Sequence, residues 1–203
     1  MVETEILDQR DEKEIAIDIL KIAEANLFVS LYGIKMEDLT KQISEDSNHI
    51  FWIFGHCANH LDYVFGELCQ GKKRFNDEIH QYFAYGVAKD IAHQKPPHSF
   101  KTLIETYLEL SESVMSYLEK LPLEKFREKP ENQKEGDRIE SIFSAIQRVT
   151  LHFMGHMGQI TMIRRKIGNP VPLGFVAGMA KESREMLKTN WKKWWEENKE
   201  EFI

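Results

Sequence analysis

Apolar residues recur every three to four positions along most of the chain, a period that predicts helices. In "EIAIDILKIAEANLFVSLYG", Ile15, Ile19, Ile22, Ala23 and Leu27 follow the i, i+3, i+4 rule, and Gly33 is a natural stop. A short polar helix is expected around "MEDLTKQI". The second long helix is "SEDSNHIFWIFGHCANHLDYVFGELCQGKK", with Ser47 or Asn48 as its cap and Gly71, Lys72 and Lys73 at its end. "SFKTLIETYLELSESVMSYLEKL" gives the third, capped by Ser99 and ended by Pro122. The fourth is "DRIESIFSAIQRVTLHFMGHMGQITMIRRKIG", for which Asp137 and Glu140 form a capping box. Its cations Arg164, Arg165 and Lys166, then Gly168 and Pro170, make its end. A last helix is expected from Ala180 to Glu200.

No sustained alternation and no hairpin dipeptide argue for strands. The expected fold is all-α, a four-helix bundle with an additional C-terminal helix. Residues Lys72 to His98 are too many for a simple turn, so they form a long crossover connection that contains a short helix. No repeat or linker divides the chain, and residues 1–203 are read as one domain.

Composition narrows the classes. Of 203 residues, 42% are hydrophobic and 30% charged, a balance typical of globular chains. The net charge of -6 argues against nucleic-acid binding by bulk electrostatics. Two cysteines, Cys57 and Cys69, fall on one predicted helix roughly 18 Å apart along its axis, too far for a disulfide. This fits a reducing compartment. The acidic start "MVETEILDQRDEKE" has no apolar run of the signal-peptide kind, and no stretch is long enough to span a membrane. The expected location is cytoplasmic.

The candidate chemistry lies in "LHFMGHMGQI". Eight histidines placed at random would give on the order of 0.3 pairs spaced i, i+4. The chain has two such pairs, His56 with His60 and His152 with His156. Residues four apart share one helix face, so two imidazoles can converge on one ion. A third ligand must come from another helix, and His56, among Trp52, Ile53, Phe54 and Cys57, is the best placed. His60, one turn on, is a fourth ligand, a partner that orients a ligand, a proton shuttle or a rim residue. His49 lies about 10 Å before His56 along the axis, too far to share its ion. His80, His93 and His98 belong to the crossover and are expected to be exposed. The alternative is that these are hydrogen-bonded core histidines. Position 153 is Phe, so the HExxH pattern of zinc proteases is absent, and so is the carboxylate pattern of di-iron bundles.

Other residues carry two readings each. Gly158 is a packing residue, or simply lies beside the histidines. Gln159 orients a ligand or bonds a loop. Arg164 attracts an anionic substrate or complements the helix end. Cys57 is a nucleophile or, more simply, a small core residue. Trp191, Trp195, Asn198 and Phe202 form a docking face for the bundle or for a partner. Tyr82, Tyr85 and Gly86 are placed to cover the pocket.

"WIFGHCANHLD" followed by "HFMGHMGQITMIRRKIGNP" resembles the DinB-like (damage-inducible, YfiT-related) four-helix-bundle family. The match is carried by Trp52, His56 and Ala58, then His152, His156, Gly158, Gln159, Ile160, Arg164, Arg165, Gly168 and Pro170, within a likeness running from Ala23 to Pro172. The resemblance implies a divalent metal, zinc or nickel, held by His56, His152 and His156 with open positions filled by water. It also implies, for some members, transfer or isomerisation with a low-molecular-weight thiol such as bacillithiol or mycothiol, and homodimers. His60 departs from the pattern: as a fourth ligand it would close the site. Three classes remain: a metal-dependent hydrolase or thiol S-transferase acting on a small molecule, a metal-binding or stress-response protein without turnover, and a structural bundle without metal.

Overall fold

Asp11 opens the first helix by a reciprocal cap: its carboxylate accepts the Glu14 amide at 2.8 Å while Glu14 accepts the Asp11 amide at 3.0 Å. The computed structural model describes residues 10–86, 94–172 and 181–203. Among them the regular structure is helical throughout: α1 (Glu12–Leu31), α2 (Ile50–Leu61), α3 (Asp77–Tyr82), α4 (Phe100–Lys120), α5 (Ile142–Lys166) and α6 (Lys181–Asn198). Short 3-10 turns cover Met36–Asp38, Leu123–Arg127 and Lys199–Phe202. The four long helices, the short crossover helix α3 and the C-terminal α6 agree with the expected bundle. The polar segment expected as a helix around Met36 is only that one turn.

α1 packs on α5 and α6, α5 also on α2, and α2 on α4. The buried face of α1 is the expected one at Ala23 and Leu27 but not in the first half of the helix. Ile15 and Ile19 are 36% and 44% exposed, whereas Ile17, Leu20, Ala23, Leu27 and Leu31 are buried. The C-terminal half of α1, from Ala23 to Leu31, is buried on every side, which is why no single stripe marks it.

α2 starts on His49, not on Ser47 or Asn48: the His49 Nδ1 accepts the Trp52 amide at 3.0 Å. From Asp62 to Cys69 the helix continues in π form. Asp62, fully buried, turns its carboxylate out of the ladder to accept the amides of Arg74 and Phe75, and so ties the start of the crossover to α2. Gly71, at φ 63°, ends that helix as expected. α4 is capped by Ser99 as expected. α5 is capped by Ser141, and the expected capping box does not form. Asp137 accepts the Lys134 amide and the Tyr63 hydroxyl instead, and Glu140 pairs with Arg148.

The core is aromatic. Phe28, Phe54, Phe100, Tyr107 and Phe153 are buried and meet edge-on or tilted, Phe54 against Tyr107 at 5.2 Å. Trp191, Trp195 and Phe202 dock the C-terminal segment on it, with Trp191 4.2 Å from Phe28. Beneath α6 the buried Glu24 carboxylate accepts the Tyr107 hydroxyl at 3.3 Å, the Ser111 hydroxyl, and the Lys188 ammonium at 2.9 Å. That polar knot joins α1, α4 and α6. Cys57 and Cys69 are buried free thiols, and burial raises both, Cys69 to about 12. Cys57 is therefore a core residue here.

Candidate metal centre

α2 and α5 run antiparallel, since His56 faces His156 and His152 while His60, one turn later, faces His152 and Arg148. This brings the two i, i+4 pairs together. The His152 Nε2 lies 3.0 Å from His56 Nε2 and 3.1 Å from His156 Nε2. Ligand atoms of His56, His152 and His156 all fall within 4.8 Å of one another. Three nitrogens each about 2.1 Å from one ion would stand roughly 3.0 Å apart at right angles, or roughly 3.4 Å apart at tetrahedral angles.

Two of the three rings have their tautomer fixed. The His56 Nδ1–H donates to the Phe83 carbonyl at 2.6 Å, which leaves its Nε2 lone pair free. The His156 Nδ1–H donates to Gln159 Oε1 at 2.8 Å, with the same result. Both lone pairs point at His152 Nε2, so the cluster presents three nitrogens with at most one proton between them. Protonating it further is opposed. Burial pushes His152 down to about 2, helped by the neighbouring imidazoles and Arg148. Burial also lowers His56 and His156, against the raising pull of the Phe83 carbonyl and of Gln159. A neutral, convergent imidazole set, with His56 buried and His152 and His156 part-buried, fits a divalent cation, whose charge is what the cluster lacks.

Trp52 braces the site. Its ring stacks on His56 at 4.8 Å and 10°, and its Nε1 donates to the Tyr82 carbonyl at 2.9 Å. Two successive crossover carbonyls, Tyr82 and Phe83, therefore hold the first half of the motif.

Gln159 sits beside the cluster, on His156. His60 lies against His152, ring centroids 4.3 Å apart, but its Nε2 accepts from Arg148 Nη1 at 2.5 Å. An arginine only donates, so this lone pair is taken and the ring is neutral; burial, then Arg148, pushes it down to about 3. Arg164 is remote from the substrate role considered for it. It is fully buried and donates to the carbonyls of Ser30, Tyr32 and Asn169, clamping the end of α5 to the end of α1. Tyr82 is buried and Tyr85 94% exposed, so these two rings do not form one cover over the histidines, and Gly86 has no side chain to add. Gly158 is not needed for close packing, because a Cβ there would meet nothing within 4 Å. His49 is the α2 cap. His80 is part-buried against Asp62 at 3.3 Å instead of exposed, while His98 is exposed and His93 lies outside the described residues.

Phe83 and Arg148 are not among the residues the motif picks out, and Glu140 was expected only as half of the α5 capping box. Phe83 acts through its main chain, which leaves no mark in the sequence. Arg148 had a signal: it precedes His152 by four residues, on the face that carries His152 and His156.

Comparison with curated proteins and with solved structures gives no match. The model of one family, described as the DinB superfamily, matches residues 19–160, a span that contains His56, His152, His156 and Gln159 but neither Arg164 nor α6. That span is well over half of the chain, and the protein belongs to the DinB superfamily.

Proposed function

We propose that the protein binds one divalent metal, zinc or nickel, through His56, His152 and His156, and uses it as a hydrolase or a low-molecular-weight-thiol S-transferase acting on a small molecule. The observation that carries this reading is the convergence of three Nε2 atoms, two of them held as lone pairs by Phe83 and Gln159. Three protein ligands leave positions open, the arrangement of catalytic rather than structural sites. Bound there, a divalent ion would polarise a substrate oxygen or bring a bound water or thiol toward ionisation near neutral pH. The protein's own share is to fix the His56 and His156 rings before the ion arrives and to hold His60 away from it through Arg148. Gln159 and Phe83 set ring planes; Trp52 keeps His56 against α2.

The same reading takes residues 1–203 as one cytoplasmic domain without nucleic-acid partners, working as a homodimer. Ile15 and Ile19 edge an open groove of about 410 Å³ with Phe143 and Gln147, and they are the apolar surface a second copy would cover. Light scattering that gives a monomer at micromolar concentration would remove the dimer from this reading.

The test is metal content by mass spectrometry on protein purified without a histidine tag, beside His152→Ala. The expected result is about one zinc or nickel per chain, lost in the variant. No metal in either after reconstitution would overturn the proposal and leave the histidines as polar core. With metal present, turnover of ester or amide substrates, or of electrophiles with bacillithiol or mycothiol, separates the enzyme from a metal-binding protein without turnover.

A further inference from the structure

His152 is the odd member of the three. His56 and His156 each donate their Nδ1–H to an oxygen, but the His152 Nδ1 is buried with no hydrogen-bond partner among the described residues. A ligating imidazole ordinarily has its second nitrogen bonded, and that bond sets the plane of the ring. Without it, rotation about the Cβ–Cγ bond would swing Nε2 off the point where the other two nitrogens meet.

What His152 has instead is a neighbour on its face. The His60 ring lies 4.3 Å away, tilted 32°. His60 is itself fixed, since Arg148 donates to its Nε2 at 2.5 Å. Arg148 is fixed in turn: its Nε donates to both Glu140 carboxylate oxygens, at 3.0 and 3.1 Å, and its Nη2 donates to the same group. The Glu140 side chain is 9% exposed and that of Arg148 24%, so the fork is shielded and its geometry well defined.

We propose that His60 is a positioning residue for His152: Glu140 and Arg148 hold the His60 ring as a plate, and His152 lies against it with Nε2 aimed at the metal point. The proposal rests on the metal-binding reading above. It gives His60, four residues after His56 on α2, a role that is neither ligand nor proton shuttle. The same contact that orients His60 occupies its Nε2 lone pair, so one arrangement both supports a ligand and keeps the site three-coordinate from the protein side. The ordering of His152 is then complete before the ion binds, and affinity does not have to offset it.

The test compares wild type, His60→Ala and His60→Phe, each without a tag. Zinc affinity is read by competition with a chromophoric chelator, and nitrogen ligands are counted by electron paramagnetic resonance of the copper(II)-loaded proteins. His60→Ala should weaken zinc about 10-fold, the usual effect of removing a group that orients a ligand. His60→Phe keeps a flat ring against His152 and should recover most of that loss, with the same nitrogen count as wild type. Equal weakening in both variants with one nitrogen fewer would make His60 a ligand and overturn the proposal. Wild-type affinity in both would show that His152 needs no plate, and would also overturn it. Circular dichroism of the metal-free variants identifies an alanine variant that fails to fold, and the phenylalanine variant then decides by matching or losing wild-type affinity. If the wild type itself takes up no zinc, the metal-binding reading fails and this one falls with it; if only the variants depart from the expected order, the positioning role alone fails.

Discussion

Gly55 immediately precedes His56 and has no room for a side chain. A Cβ there would stand 2.1 Å from Phe83 Cε1 and 2.3 Å from Cζ. Phe83 is buried, so its ring has little space to retreat, and its carbonyl is what fixes the His56 tautomer. Gly55→Ala should therefore act twice. Overpacking should cost the metal-free protein about 1–3 kcal/mol, read by urea unfolding. Displacement of the Phe83 carbonyl should also weaken zinc about 10-fold although no ligand has changed. An alanine variant with wild-type stability and affinity would mean that the Phe83 ring moves aside freely. At this scale the sequence was informative where chemistry is local. The i, i+4 spacing of His152 and His156 is a property of one helix, and their Nε2 atoms do lie 3.1 Å apart. It was silent where the partner is a carbonyl, as with Phe83, and ambiguous where a side chain has two available roles. His60 reads as a ligand, an orienting partner, a proton shuttle or a rim residue until Arg148 is seen beside it.

Arg164 ties two helix ends together. Its guanidinium reaches Ser30 and Tyr32 at 2.8 Å each, and Asn169 through Oδ1 at 3.0 Å and the carbonyl at 2.9 Å. It thus satisfies carbonyls at the end of α1 and in the turn after α5, groups that a buried helix end would otherwise leave unpaired. Arg164→Met should cost about 3 kcal/mol or more, because several buried acceptors lose their donor together. Zinc affinity should stay within about twofold, since among the described residues no hydrogen bond of this clamp reaches the histidines. A stable variant with impaired turnover would instead restore the substrate role considered from the sequence. The reasons some elements were misjudged are equally physical. Several oxygen side chains stand in a row before α5, and Asp137 and Glu140 look like its cap until Tyr63 and Arg148 claim them. α1 is apolar on more than one side, so Ile15 and Ile19 satisfied the periodicity as well as the buried Ile17 and Leu20 did. Trp191, Trp195 and Phe202 were legible as a docking face because tryptophans at helical spacing have few other uses in so polar a helix.

For the molecule as a whole the question is whether the metal holds the fold or the fold holds the metal. The three histidines join α2 and α5, and those helices are already held together by α1, α4 and one continuous aromatic core that runs from Phe28 to Trp195. A chain of this size buries enough apolar surface to fold without an ion, unlike a zinc finger. Chelation should therefore leave the helical circular dichroism unchanged. A metal present at about 100 times its dissociation constant adds roughly 2.7 kcal/mol to the folded state. With about 2–4 °C per kcal/mol for a protein of this length, removing it should lower the melting temperature by roughly 5–10 °C. The drop should vanish in His152→Ala, which has no ion to lose. Collapse of the helical signal on chelation, or an equal drop in the variant, would mean that the bundle depends on its metal for packing. The aromatic core would then be weaker than its burial implies. The smaller, ligand-dependent shift is expected because the imidazoles are ordered by groups that belong to the core itself: Trp52 against His56, and the Tyr82 and Phe83 carbonyls behind them.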